Sequence, residues 1–134
     1  MANQFRIPAT TANAMLAAII TAAAGGKLEI YDGVQPSSGG GALSSNNLLA
    51  TLVLGSPAFP AASGGVLTAN AIASATAVYT STATWFRLYQ SDGATPICDG
   101  SVGTSGCDMN LNSTAIVSGG EVSVTSLTIT LPLQ

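Results

Sequence analysis

The strongest constraint on the fold is a series of short apolar runs, separated from one another by glycine or by Asp-Gly pairs. In residues 82–90 large side chains alternate between two faces, and residues 27–31 alternate in the same way. A period of two residues is typical of a β-strand with one buried face. Runs of this length, with turn residues between them, predict an all-β fold. We expect an antiparallel β-sandwich or jelly roll of about eight short strands.

The predicted strands follow a single predicted helix. They cover residues 27–31, 48–54, 66–79, 82–90, 95–102, 108–111, 121–124 and 127–131. Residues 35–47 are expected to form a flexible loop, and residues 55–65, which contain two prolines, a turn or an edge segment. The alternation of apolar residues slips by one position between Val124 and Leu127. That slip predicts a bulge or a bend, of the kind that marks a corner in a sandwich.

The first residues predict an extended arm. Pro8 favours extended backbone in the residue before it, so residues 1–9 are interpreted as an N-terminal arm. The arm carries two apolar side chains, Phe5 and Ile7, which have no obvious local partner. The arm is therefore expected either to be disordered or to lie on a neighbouring molecule, which both side chains would then contact. The rest of the chain, residues 10–134, shows no linker and is predicted to be a single β domain with a leading helix.

The predicted helix covers about residues 10–24. Thr10 or Thr11 is expected to cap its start, and the glycine pair 25–26 to end it. Helical spacing places five apolar side chains on one face: Met15, Leu16, Ile19, Ile20 and Ala23. A signal peptide is the alternative, since the apolar run follows Arg6. The run is too short to span a bilayer, which takes about 20 apolar residues.

The chain is nearly free of charge, and this excludes several functions. Only 7% of its 134 residues are charged, three of them basic and six acidic, and it has no histidine. Ser-His or Cys-His catalysis and histidine-bound metals are therefore impossible. Three scattered cations cannot form the basic surface that nucleic acids require. The net charge of −3 also argues against binding to acidic membranes.

So few charges predict a surface covered by other subunits. Charged residues are depleted at interface cores because their desolvation is costly. A soluble protein that acts alone usually carries abundant mixed charge. The alternative is a neutral surface of serine and threonine that is simply well hydrated.

One predicted strand face concentrates the residue types that contribute most to binding. Trp85, Arg87 and Tyr89 share it, and the guanidinium can stack on either ring. We interpret these three residues as an exposed contact patch, to which Phe5 and Ile7 of the arm are added as contact candidates. The alternative is that they cap one end of the core.

The three aspartates at 92, 99 and 108 follow one another in glycine-containing turns. We expect them to support those turns through local hydrogen bonds rather than to bind calcium, which needs six to eight oxygen ligands. No cofactor, metal or catalytic residue is predicted. Two cysteines, Cys98 and Cys107, flank a glycine-rich stretch that can return on itself. A disulfide and a pair of independent small side chains both remain open at this point.

Four segments resemble small virion proteins of tailed bacteriophages, in particular the capsid cement or decoration proteins. They are residues 24–33 (AGGKLEIYDG), 83–93 (ATWFRLYQSDG), 99–106 (DGSVGTSG) and 108–112 (DMNLN). The resemblance implies a non-enzymatic, jelly-roll-like β domain that forms homo-oligomers, dimers or trimers, on the capsid exterior. There it would bridge subunits of the major capsid protein, after synthesis in the cytoplasm of the bacterial host.

Two other functions remain in view. One is a carbohydrate- or receptor-binding β domain of a phage tail or a cell surface. The other is a secreted hydrolase, which the missing histidine and the aromatic content of 5% make the weakest of the three.

Overall fold

The computed structural model describes residues 6–131, and this part of the chain is mostly β with one short helix, as predicted. The helix α1 spans Ala9–Ala23. The strands are β1 Lys27–Tyr31, β2 Leu48–Val53, β3 Val66–Thr68, β4 Ala75–Thr76, β5 Ser81–Thr82, β6 Trp85–Tyr89, β7 Pro96–Gly103, β8 Met109–Leu111, β9 Ala115–Ile116, β10 Glu121–Val122 and β11 Val124–Thr130.

Seven of these strands form one sheet in the order β2-β1-β6-β7-β8-β11-β3. The prediction of purely antiparallel pairing is wrong at one place, because β7 and β8 run parallel, with Val102 opposite Met109. The chain between them folds back beside β7. Asp108 fixes this return, since its Oδ2 accepts hydrogen bonds from the backbone N–H and the hydroxyl of Ser101, both at 3.0 Å.

Two further sheets, of two strands each, pair residues 75–83 with residues 114–122, and we call these two segments the ribbon. β4 pairs with β10 and β5 with β9, and the N–H of Ala77 donates to the carbonyl of Gly120 at 2.8 Å between them. The ribbon touches the edge of the sheet where the N–H of Val78 donates to the carbonyl of Leu49. The long strand predicted over residues 66–79 is thus wrong: β3 and β4 are short, and residues 69–74 lie outside any strand.

The core lies between the inner face of the sheet, α1 and the inner face of the ribbon. Its largest fully buried apolar side chains are Phe59, Phe86, Leu16, Leu28, Ile30, Leu49, Leu52, Leu67, Leu88, Met109 and Leu111. The ribbon contributes Ala77, Ala83, Ile116 and Val122. Phe59 comes from the segment predicted to be a turn or edge, and this proline-containing loop instead contributes one of the largest core side chains.

The helix begins one residue before its predicted start. Pro8 occupies the N-cap position, and its carbonyl accepts from the N–H groups of Thr11 and Ala12 at 3.1 Å. The predicted cap by Thr10 or Thr11 is therefore wrong, because both threonines already lie inside the first turn. Of the predicted apolar face, Leu16 and Ala23 are buried and Ile19 and Ile20 partly so, whereas Met15 is 52% exposed. Within residues 6–131 no helix is long and apolar enough to cross a membrane.

The glycine pair ends the helix as predicted. Gly25 takes a φ of +65°, a conformation that favours glycine. A Cβ on Gly26 would lie 2.5 Å from the carbonyl oxygen of Tyr89, so the close approach of this link to β6 also requires glycine. At the other end of the chain, the register of β11 against β8 shifts between Val124 and Ser126. The predicted bulge is therefore confirmed.

The N-terminal arm is described only in part. Phe5 lies outside the described residues. Ile7 is half-buried and, with its neighbours Arg6 and Pro8, precedes the helix without regular structure.

Candidate interaction surfaces

The outer face of the sheet, opposite the core, carries the aromatic and charged side chains of β1, β6 and β7. Trp85 is 0% exposed and Arg87 is 4% exposed. The prediction that they form an exposed contact patch is therefore wrong, although Tyr89 beside them remains half-buried. Residues 33–47, which we call the strap, lie over Arg87, whose Nη2 donates to the carbonyl oxygen of Gly41. The strap corresponds to the predicted flexible loop, and it lies across β6 and β7 instead of extending into solvent.

Beneath the strap, Arg87 and Asp99 form a buried ion pair. Nε of the arginine donates to Oδ1 of the aspartate at 2.7 Å, and Nη2 donates to Oδ2 at 3.0 Å. The two side chains are 5% and 2% exposed. This two-point contact with the Asp99 carboxylate raises the pKa of the Arg87 guanidinium.

The strap itself completes the coordination of this pair. Arg87 Nη2 donates a second hydrogen bond, at 2.7 Å, to the carbonyl oxygen of Gly41. The N–H of Gly40 donates to Oδ2 of Asp99 at 3.3 Å. Adjacent residues of the strap thus present one acceptor and one donor to the arginine and the aspartate.

The rings of Trp85 and Tyr31 stack close to the root of the strap, by which we mean its two ends, next to Asp32 and at Asn47. Their centroids are 4.7 Å apart and their planes differ by 17°. The Cζ atom of Arg87 lies 5.2 Å from the centroid of the tryptophan ring, within the range of a cation–π contact. The indole Nε1–H donates to the carbonyl of Asp32 at 3.1 Å, so the polar edge of the ring is also satisfied.

The root of the strap is tied by Asp32. Its Oδ1 accepts from the backbone N–H of Asn47 at 2.6 Å, and its Oδ2 accepts from Asn47 Nδ2 at 2.9 Å and from the Ser81 hydroxyl at 2.8 Å. These donors lower the pKa of the Asp32 carboxyl. On the other side of the root, the Thr84 hydroxyl donates to the carbonyl of Gly33 at 2.7 Å.

Apolar packing contributes little to holding the strap down. Each residue from 33 to 47 is exposed or half-buried, and the exposed ones include two large apolar residues, Val34 and Leu43. The strap is therefore attached chiefly by hydrogen bonds at its root and at its tip. Segments of this kind open locally at a lower free energy than the core.

A different surface is formed by the outer face of the ribbon. Val78 is 64% exposed and Val117 is 60% exposed. Around them lie further exposed neutral side chains: Thr76, Tyr79, Thr80, Thr82 and Ala115. Glu121 is the single carboxylate in the two segments of the ribbon, which contain no basic residue. Because this surface arises from pairing between residues about 40 positions apart, the pattern along the sequence did not reveal it.

The three aspartates predicted to support turns, Asp92, Asp99 and Asp108, have different roles in the structure. Asp92 accepts from the N–H groups of Ala94 and Thr95 and from the Thr95 hydroxyl, which lowers its pKa to about 2. Asp92 thus supports its own turn, as predicted, and Asp108 fixes the return from β7. Asp99 is a strand residue paired with Arg87, so its predicted role in a turn is wrong. Within residues 6–131 no cluster of side chains is suited to hold a metal ion.

The fold keeps the two cysteines apart. The structure holds both as free thiols. Cys98 and Gly103 are five residues apart on the extended strand β7, which separates them by about 16 Å. A Cβ on Gly103 would lie 2.6 Å from the sulfur of Cys107, so Cys107 lies at the far end of this strand. A disulfide needs Cα atoms within about 7 Å. Of the two alternatives left open by the sequence, the disulfide is therefore incompatible with the fold, and the two residues act as independent small side chains.

Burial of protonated groups predicts a loss of stability at alkaline pH. Burial, with smaller contributions from Asp99 and Asp108, raises the pKa of the Cys98 thiol to about 12. Burial and a hydrogen bond to Glu29 also raise the pKa of the Tyr31 hydroxyl. In the unfolded chain the cysteine thiol ionises at about pH 8.5 and the tyrosine hydroxyl at about pH 10. The stabilisation of the fold by these protonated groups is complete below the unfolded-state pKa values. It is lost as the pH rises toward the folded-state pKa values.

We therefore expect the urea midpoint to be nearly constant from about pH 6 to 8 and to fall between about pH 9 and 11. The Cys98→Ala variant should show a shallower fall than the native chain, whatever its stability at neutral pH. An equal slope in both chains would contradict the assignment to this thiol.

A small cleft of about 230 Å³ lies near Asp99 of β7 and Asp108 of the loop between β7 and β8. Its lining is Phe86, Cys98, Asp99, Gly100, Asp108, Ile129 and Thr130. Both carboxylates in this lining are already engaged, one by Arg87 and one by Ser101. The volume is below the 300–1,000 Å³ that is usual for small-molecule sites.

No family model, curated protein or solved structure matches this chain.

Proposed function

We propose that this chain is a structural protein of a bacteriophage virion, a cement or decoration protein that binds the outside of the capsid. The observation that carries the proposal is the outer face of the ribbon, which exposes valines, threonines and a tyrosine and bears one carboxylate. Isolated exposed apolar residues are ordinary, whereas a group of them on one nearly uncharged face is typical of a contact surface.

The chemistry of this face fits a broad contact with other protein. Its threonine hydroxyls can bond to a partner, and its valines lose unfavourable contact with water. Desolvation of a face with so few ions costs little. Each copy can then bind weakly, because many copies around a closed lattice, together with bridging between neighbouring subunits, give a durable assembly.

The proposal includes the architecture. The seven-stranded sheet and the ribbon are interpreted as the two layers of a sandwich related to a jelly roll, with the ribbon turned toward the major capsid protein. Homo-oligomers, dimers or trimers, would then form beside the lattice contact. The resemblance of residues 24–33 and 83–93 to decoration proteins supports the same assignment, as does the engagement of the cleft carboxylates in structural contacts.

Co-sedimentation tests the proposal directly. Capsids assembled from the major capsid protein encoded in the same genome should retain the purified chain in the pellet, and capsids without it should break at a lower temperature. Retention on a glycan column with no effect on capsid stability would instead support a carbohydrate- or receptor-binding domain. A dispersed monomer with no affinity for capsids would contradict the proposal.

Charge placed on the ribbon should weaken capsid binding. The double variant Val78→Glu and Val117→Glu adds two carboxylates at exposed positions, so it should fold normally but lose capsid binding by about tenfold or more. Val53→Glu is the control, because Val53 is 54% exposed and lies on the face of the sheet that points away from the core and the ribbon. Equal binding by the two proteins would exclude the ribbon as the contact surface.

A further inference from the structure

The tip of the strap occupies a site whose chemistry is that of peptide recognition. Arg87 offers a donor to one carbonyl, and Asp99 offers an acceptor to one N–H. Both side chains are at least nine-tenths buried, and their positions are fixed by the ion pair between them. The strap fills this site with the N–H of Gly40 and the carbonyl of Gly41.

We propose that the Arg87–Asp99 pair, with Trp85 beneath it, is a binding site for a glycine-containing β-turn, and that the strap occupies this site in cis. A partner that presents an uncharged turn with the same pair of backbone groups can take its place when the strap opens. This inference concerns the outer face of the sheet and does not depend on what the ribbon binds.

The charge of the site determines the class of ligand. The carboxylate of Asp99 already engages Nε and Nη2 of Arg87, so the pair is neutral overall. A free anion would therefore gain little at the remaining donor and would be repelled by the aspartate. A neutral peptide group that both donates and accepts satisfies the two residues together.

The shape of the tip determines why glycine is needed. The N–H of Gly41 donates to the carbonyl of Ser38 at 2.9 Å, which closes a tight turn. Gly40 within that turn has a φ of +73°, as the third residue of a type II turn requires. A Cβ on Gly41 would lie 2.9 Å from the carbonyl oxygen of Ser38, so an alanine there conflicts with the turn itself.

The structure provides a matched control two turn positions away. A Cβ on Gly39 would have no atom within 4 Å, and this glycine is not in the left-handed region. Gly39→Ala should therefore leave the strap in place, whereas Gly41→Ala should displace its tip. Both variants differ from the native chain by one methyl group in the same loop.

The single tryptophan of the chain reports on the strap. Trp85 is fully buried, and its ring lies against Arg87, which holds the tip of the strap through the carbonyl of Gly41. Acrylamide should therefore quench its fluorescence poorly in the native chain. We expect about tenfold stronger quenching in Gly41→Ala than in Gly39→Ala, because loss of the tip frees Arg87, which lies over the ring, to move and admit the quencher. Unchanged far-ultraviolet circular dichroism would show that the body stays folded.

Binding in trans is tested with a peptide. An end-blocked peptide with the sequence of residues 36–43, PSSGGGAL, should restore protection of Trp85 when it is added to Gly41→Ala. The same peptide with alanine in place of its second glycine should bind about tenfold more weakly, since that glycine adopts the positive φ. The Nε–H resonance of Arg87 should shift on addition of the first peptide.

Two results would overturn the inference. Equal quenching in Gly39→Ala and Gly41→Ala would show that the strap does not gate the site, and open variants that ignore the peptide would show that the site does not recognise a turn. If Gly41→Ala unfolds, Asn46→Ala takes its place, because it removes the two bonds from Asn46 Nδ2 to the carbonyls of Asp32 and Val34 at the root. The same two results apply to it.

Discussion

Replacing Arg87 by alanine is expected to lower the free energy of unfolding by about 3–5 kcal/mol. The substitution leaves the carboxylate of Asp99, whose side chain is 2% exposed, without its counterion in a site closed to water. It also removes the hydrogen bond that holds the carbonyl of Gly41. Urea unfolding followed by circular dichroism measures the loss, and the fluorescence of Trp85 reports whether the strap opens first.

A double variant distinguishes the net contribution of the ion pair to the free energy of unfolding from the cost of leaving one buried charge unpaired. Arg87→Met together with Asp99→Leu replaces both charges by apolar groups, and we expect it to recover most of the lost stability. Lys27→Ala serves as the control for removing a cation from the same sheet face, and it should change stability by no more than about 0.5 kcal/mol. If Arg87→Ala costs no more than that control, the buried ion pair does not stabilise this fold.

Replacing Phe59 by alanine should have a similarly large effect, about 3–5 kcal/mol, for a different reason. The ring is 1% exposed and belongs to the core cluster together with Ala58 of the same loop and with Leu54, which directly follows β2. Truncation removes its burial and leaves a cavity that the surrounding sheet cannot fully close. Phe59→Leu keeps most of the volume and should lose about 1–2 kcal/mol.

Thermal and urea unfolding measure the loss of stability in Phe59→Ala and in Phe59→Leu. If the loop from 55 to 65 only links two strands, as its composition predicted, both substitutions should be nearly neutral. A large loss for alanine and a small one for leucine would show that this loop is part of the core.

The parts of the fold that follow from local pattern were predictable. The alternation in residues 27–31 gave β1 with the bounds that the structure has, and the slipped alternation after Val124 gave the bulge. Gly25 ended the helix for a local reason as well, its positive φ. In each of these places, the residues that determine the structure are neighbours in the chain.

The candidate site was predictable only as a set of side chains. The period of two placed Trp85 and Arg87 on one face, but their exposure depended on a strap attached through Asp32, more than fifty positions earlier. The same applies to Phe59, whose burial depends on the strands that surround its loop. Nothing in the alternation of a strand says which of its faces a distant loop will cover.

The position of β11 in the sheet has a consequence for biosynthesis. This strand lies between β8 and β3, and Thr128 pairs with Thr68, 60 residues before it. Until the ribosome has added residue 130, β8 therefore has one unpaired edge and β3 has no partner strand in the sheet, and such edges are prone to join those of other chains. Completion of the sheet must wait until β11 has been synthesised, and closure over so long a separation makes that step slow.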